Sequence, residues 1–370
     1  MIFQCQKEIL SNTLNIVSKA VSQKASLPIL EGIYIKAEAE ALTIVGNDMD
    51  LGIECKIPAQ VYEEGGIVLL AKTFLDIVRK LPNDTVTLKV NENRNAVITC
   101  QNIEYKILGL PDDEFPSVPE IEKEHEFEIE EGTLKNMIRR TLYAVSQNES
   151  RIVLTGSLFE VKDDILNIVS VDGFRLALRK EKIEGKGDNF SFIVPGKTLG
   201  ELSKILKDGE SKVKVSLTQR YASIKTEDAK VVTRLIEGNF LNYEKTIPAV
   251  NNYSVVIPVA SVTESVERCE PIIAADETKS PIRFHFTEKQ LVIKCITATG
   301  QIVDTLEIPF EGEETEIGVN NRYIHDALKA AETDVAKMEF NSNLSPCIIK
   351  PLDDDSFIQM VLPVRLKNEN

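Results

Sequence analysis

The chain has 370 residues, 43% of them hydrophobic, and a formal net charge of −15. That is enough apolar material for several cores, while the acidic balance argues against a protein coated throughout in basic surface for nucleic acid. No apolar run approaches the roughly 20 residues of a membrane helix, and "MIFQCQKEIL" lacks the pattern of a secretory signal, so a soluble, cytoplasmic chain without a membrane partner is expected.

From the start, "KEILSNTLNIVSKAV" spaces Leu10, Leu14 and Val21 along one side of a helix. "GIYIKAEAEALTIVGNDMDLGIECKI" then alternates like strands meeting at turns such as "GND". "AKTFLDIVRKL" follows, an amphipathic helix with Phe74, Ile77, Val78 and Leu81 on one side and Lys72 and Arg79 on the other. Pro111, Pro116 and Pro119 in the acidic "LPDDEFPSVPE" mark a boundary. The order then begins again. Leu134, Ile138 and Val145 stripe "GTLKNMIRRTLYAV", strands turn at "KDD" and near "VDG", and "PGKTLGELSKIL" sets Lys197 and Lys204 around Leu199, Leu202 and Leu206. After Pro248 in "GNFLNYEKTIPAVNNYS", Val262, Val266 and Ile273 stripe a third such helix; strands turn at "TEK" and "TATG", and "NNRYIHDALKAA" carries Arg322 and Lys329.

Lys72, Lys197 and Arg322 stand 125 residues apart, as do Arg79, Lys204 and Lys329. The cationic pair is therefore periodic, and a third of the chain is the size of an ordinary domain. Three similar domains are expected, at 1–122, 123–250 and 251–370, of α+β class, each with two helices packed on antiparallel sheets. Much of the negative charge lies outside the helices, in "DDEFPSVPEIEKEHEFEIEE", "FEGEETE" and "LDDDS". Such segregation steers a polyanion toward a few helices.

Catalytic chemistry finds little support. "PGKT" ends like a phosphate-cradling loop, but Ser191 stands where the first glycine of that motif belongs, and the equivalent segments "LAKTF" and "NNRYI" lack the glycine altogether. His125, His285 and His325 have no metal-ligand spacing; His125 reads as part of a charged linker and His325 as a surface or phosphate-contacting residue. Asp48 and Asp50 beside a Gly-Asn turn read as turn hydrogen-bonders rather than paired catalytic carboxylates. Cys5, Cys55, Cys100, Cys269, Cys295 and Cys347 are scattered, as buried thiols in a reducing cytosol are. No catalytic residue, metal or cofactor is expected.

The strings "LPILEGIYI", "LPDDEFPSVP", "VDGFRLAL", "VPGKTLGEL", "GNFLNYEKTIP" and "MVLPVRL" occur in an order that resembles the bacterial DNA polymerase III β subunit, the replicative sliding clamp, along essentially the whole chain. The resemblance implies a non-enzymatic, head-to-tail homodimeric ring, each protomer giving three domains, with helices lining a hole for duplex DNA of any sequence. It implies DNA-facing positions at Lys24, Lys72, Asn148 and Lys197, and the 125-residue repeat adds Arg322. It also implies a pocket for short peptides of the polymerase alpha subunit, the clamp loader and other DNA-processing proteins. The matching residues are Leu154, Val171, Gly173, Phe174, Arg175, Leu176, Lys245, Thr246, Asn320, Tyr323, Ser345, Met360, Leu362, Pro363, Val364 and Arg365. In that pocket Leu241 stands where the family tends to have proline, and Thr246 where it tends to have an aliphatic residue. Tyr105 and Ile107 of one protomer, with Ile272 and Ile273 of the other, are the implied dimer contact.

Overall fold

The computed structural model describes residues 1–22, 27–122, 124–184, 188–276, 280–352 and 354–366. Six α-helices are present among them: α1 (Lys7–Val17), α2 (Ala71–Lys80), α3 (Glu131–Leu142), α4 (Gly196–Ile205), α5 (Val259–Ala274) and α6 (Asn321–Ala331). They fall two to each expected repeat. The first stripe differs from expectation at its end: α1 stops at Val17, so Val17 and not Val21 completes its buried row with Leu10 and Leu14. Val145 likewise lies beyond α3, although it is buried.

Among the described residues the strands form four sheets, and every paired neighbour is antiparallel. Tight turns explain this. Asp163 and Asp164 both take positive φ (50° and 60°) between strands Gly156–Lys162 and Ile165–Val171, the geometry that suits a two-residue hairpin. Asp48 Oδ1 accepts from the backbone N–H groups of Asp50 (3.2 Å) and Leu51 (2.8 Å), the turn role expected for that residue. His125 is not in a linker; it opens strand His125–Glu130, opposite Leu217.

By contacts the chain divides into two compact units, Met1–Gly132 with Glu184–Lys186 and Gly200–Leu235, and Thr133–Ile183 with Gly187–Leu199 and Ile236–Asn370. Compactness thus divides the chain differently from its sequence repeat, and the sheets explain why. In the first unit an eight-stranded sheet joins Lys230–Arg234 to Leu51–Pro58, with Thr233 opposite Leu51. In the second, another joins Arg175–Lys182 to Phe357–Val361, with Arg175 opposite Val361. Each of these sheets draws strands from two repeats. A five-stranded sheet ending at Ile103–Leu108 completes the first unit, and a four-stranded sheet ending at Gln301–Glu307 the second.

Candidate nucleic-acid interface and peptide pocket

Each cationic helix turns its apolar stripe inward and its cations out. On α2, Phe74, Leu75, Ile77 and Val78 are buried while Lys72 and Arg79 are exposed. On α4, Leu199, Leu202 and Ile205 are buried and Lys197 and Lys204 exposed. On α6, Ile324, Ala327, Leu328 and Ala331 are buried and Arg322 and Lys329 exposed. The second member of each pair is held by a neighbour: Arg79 donates to Asn15 Oδ1 on α1, Lys204 pairs with Glu201 at 2.9 Å, and Lys329 with Glu267 at 3.3 Å. Among the described residues Arg322 has one loose ionic contact, 3.9 Å to Asp326, with its side chain 77% exposed.

Lys24 lies outside the described residues. Asn148 is exposed, and its Oδ1 accepts from Ser150 N–H (2.9 Å), capping the 3-10 segment Glu149–Thr155. Beside it opens a cavity of about 730 Å³ lined by Leu142, Val145, Ser146, Gln147, Glu149, Ile152, Thr155, Pro195, Gly196 and Lys197. Gln147 and Glu149 carry no helical or strand periodicity, so the pattern gave no reason to single them out. The glycine of "PGKT" has a packing role: a Cβ on Gly196 would meet the Thr155 carbonyl oxygen and Val145 Cγ1, each at 2.9 Å. His325 corrects its expected surface role. Its side chain is mostly buried between α5 and α6, with Nε2 3.0 Å from Glu267 Oε1.

Part of the residue set expected for a pocket gathers within the second unit. Leu154, Val171, Leu176 and Met360 are buried in one apolar cluster, with Leu241 and Leu362 packed against it. Strand Ile165–Val171 ends in a turn at Asp172–Gly173, where Gly173 takes φ +95° and a Cβ would meet nothing within 4 Å, so only backbone strain restricts that position. Phe174 follows, 60% exposed, its ring stacked on Tyr323 at 6.1 Å, and its carbonyl accepts from Leu362 N–H at 2.8 Å. Beyond Val361 the chain continues along the edge of strand Thr315–Val319, where Val364 N–H donates to the Gly318 carbonyl at 2.8 Å. That contact places Pro363, Val364 and Arg365 against an existing sheet edge.

Arg175 behaves differently from the other predicted pocket residues. Its side chain is 5% exposed: Nε donates to Asp172 Oδ2 (2.9 Å), Nη1 to Asp326 Oδ2 (2.5 Å), and the guanidinium stacks on Tyr323 (4.5 Å) and Tyr143 (5.2 Å). Burial opposes the charge, but the hydrogen bonds to Asp326 and Asp172 more than offset it and raise the pKa above the usual arginine value. Burial also pushes the Tyr143 phenol well above its ordinary range. The polar residues divide similarly. Asn320 caps α6 by accepting from Tyr323 N–H (3.2 Å), and Thr246 Oγ1 donates to the Tyr243 carbonyl (2.7 Å). Ser345 Oγ closes its own turn, accepting from Ser342 N–H and Asn341 N–H. Lys245 and Arg365 are exposed. The result is a buried apolar cluster beside which Phe174 is exposed against Tyr323.

Tyr105 and Ile107 lie on Ile103–Leu108, the outer strand of its sheet, where Leu108 is 68% exposed. Ile272 and Ile273 end α5; Ile273 also packs against its own core, and the nearby outer strand Gln301–Glu307 exposes Val303.

Three family models describing the DNA polymerase III beta subunit match in succession: the N-terminal domain over residues 1–119, the central domain over 128–242 and the C-terminal domain over 244–365. The beta sliding clamp of Halalkalibacterium halodurans is 33% identical over 99% of this chain and 100% of its own length, and that of Bacillus subtilis 32% over the same shares. Among solved structures, the DNA polymerase sliding clamp of Bacillus subtilis superposes with a TM-score of 0.95 at 32% identity, and the DNA polymerase III beta subunit of Thermotoga maritima with 0.92 at 28%, each covering 99% of this chain and 100% of the other. With its three-domain clamp fold, the chain belongs to the DNA polymerase III beta subunit family, the non-catalytic DNA sliding clamps of the replicative polymerase.

Proposed function

We propose that two copies of this chain close into a ring around duplex DNA in the bacterial cytoplasm, and that the clamp domains divide at 1–122, 123–250 and 251–370. Lys72, Lys197 and Arg322 are the phosphate-facing cations, joined by Lys24 and Asn148. The observation that carries this reading is the 125-residue recurrence of an exposed cation on an amphipathic helix in a chain of net charge −15. Phosphate contacts position without reading bases, and non-specific affinities of roughly 10⁻⁴ to 10⁻⁶ M leave sliding easy, so persistence must come from closure. The outer strands Ile103–Leu108 and Gln301–Glu307 support a joint in which each protomer adds an edge to its partner's sheet, with Tyr105, Ile107, Ile272 and Ile273 as its apolar contacts.

The apolar cluster around Leu154, Val171, Leu176 and Met360 is the capture site for short peptides of the polymerase alpha subunit, the clamp loader and other DNA-processing proteins. Leu241 and Thr246 belong to its wall and tune which peptides fit. The DNA assignment is tested by assembling the protein on nicked circular plasmid with a bacterial clamp loader and ATP, then separating by gel filtration. The triple variant K72E, K197E and R322E is expected to remain dimeric but to lose retention on the circle. Undiminished retention overturns the assignment of those residues.

A further inference from the structure

Helix α6 serves two surfaces at once. Arg322 stands on its exposed face, while Tyr323 and Asp326, one and four residues on, reach the buried guanidinium of Arg175. The same carboxylate oxygen, Asp326 Oδ2, lies 2.5 Å from Arg175 Nη1 and 3.9 Å from Arg322 Nε. Arg175 is also where the parts of the pocket meet. It follows Phe174, whose carbonyl holds Leu362; it pairs across the sheet with Val361; and it stacks on Tyr323, the partner of the Phe174 ring.

Two tyrosine rings lie against that guanidinium, and its Nε and Nη1 are hydrogen-bonded to carboxylates inside the protein. We infer that Asp326 is a positioning residue of the peptide pocket, acting through Arg175, and that Arg322 modulates it by competing for the same oxygen. Removing the carboxylate leaves a buried cation one partner short, which loosens the stack that fixes the Phe174–Tyr323 rim. The Arg322 contact is solvent-exposed and correspondingly weak. A phosphate that draws Arg322 away leaves Asp326 wholly to Arg175 and firms the rim. Duplex contact and peptide capture then favour each other by one common factor, as linkage requires.

The inference rests on the peptide and duplex readings above, and its test separates it from them. The full-length protein is titrated with a fluorescein-labelled peptide spanning the clamp-binding segment of a bacterial DNA polymerase III alpha subunit, followed by anisotropy, with and without a short linear duplex at low salt. Asp326→Asn is expected to weaken peptide binding about ten-fold. Arg322→Ala, a surface change, is expected to tighten it roughly two-fold without DNA and to abolish the similar gain that duplex gives the wild type. A purely structural role for Asp326 leaves Arg322→Ala without effect on the peptide. Peptide binding in the wild type that is unchanged in Arg322→Ala and indifferent to duplex overturns this inference alone. Failure of the wild type to bind the peptide overturns the capture reading beneath it.

Discussion

All six cysteines are buried, and burial is the leading cause of a raised thiol pKa in each: to about 11 for Cys5, to about 12 for Cys55, Cys269 and Cys347, and upward also for Cys100 and Cys295. Since the thiolate is the nucleophile, iodoacetamide at pH 8 is expected to label none of these six sites in the native protein and all six in denaturant. Intact mass spectrometry reads the result, and stoichiometric native labelling refutes it. The thiols show how far single residues can be read from sequence. Their scatter identified them as core, and the Gly-Asn setting identified Asp48 as a turn residue. His325 escaped because its helical position said only which side it faced; Glu267, the group that covers it, lies 58 residues away on α5.

At the scale of elements, helices with strong stripes were legible to within a turn, while irregular pieces were not. The 3-10 segment Glu149–Thr155 has no period to detect, yet it supplies Leu154 to the apolar cluster and Ile152 and Thr155 to the neighbouring cavity. Its seat depends on Gly196, whose missing Cβ lets the Thr155 carbonyl and Val145 approach the start of α4. Gly196→Ala is therefore expected to cost about 1–3 kcal/mol, because the obstruction is partly backbone and overpacking there cannot relax through a flexible side chain. Thermal unfolding measures it; an unchanged or raised midpoint contradicts this account. The proposed pocket entered the sequence reading for a different reason. Its residues are spread over more than 200 positions from Leu154 to Arg365, so no local pattern could gather them, and only the family resemblance did. What the resemblance did not supply is the buried role of Arg175, which depends on the distant Asp326 and Tyr323.

For the whole molecule, separating affinity from closure gives a salt signature. Binding of the protein to linear duplex is expected to fall steeply between about 50 and 200 mM salt, because released counterions govern phosphate contacts. Protein loaded on closed circles is expected to stay through the same range and to leave when the circle is cut. Parallel loss from linear and circular DNA would mean that phosphate contact, and not enclosure, provides the hold. The three-repeat organisation was visible in sequence as the 125-residue interval, whereas the sharing of sheets between repeats was not, since strand partners far apart leave no periodic trace. That sharing bears on any attempt to divide the protein. A middle fragment excised at residues 123 and 250 would lose Leu51–Pro58 from beside Lys230–Arg234 and Phe357–Val361 from beside Arg175–Lys182. Two raw ladders would then face solvent, and such a fragment is expected to self-associate through them unless supplied with substitute strands.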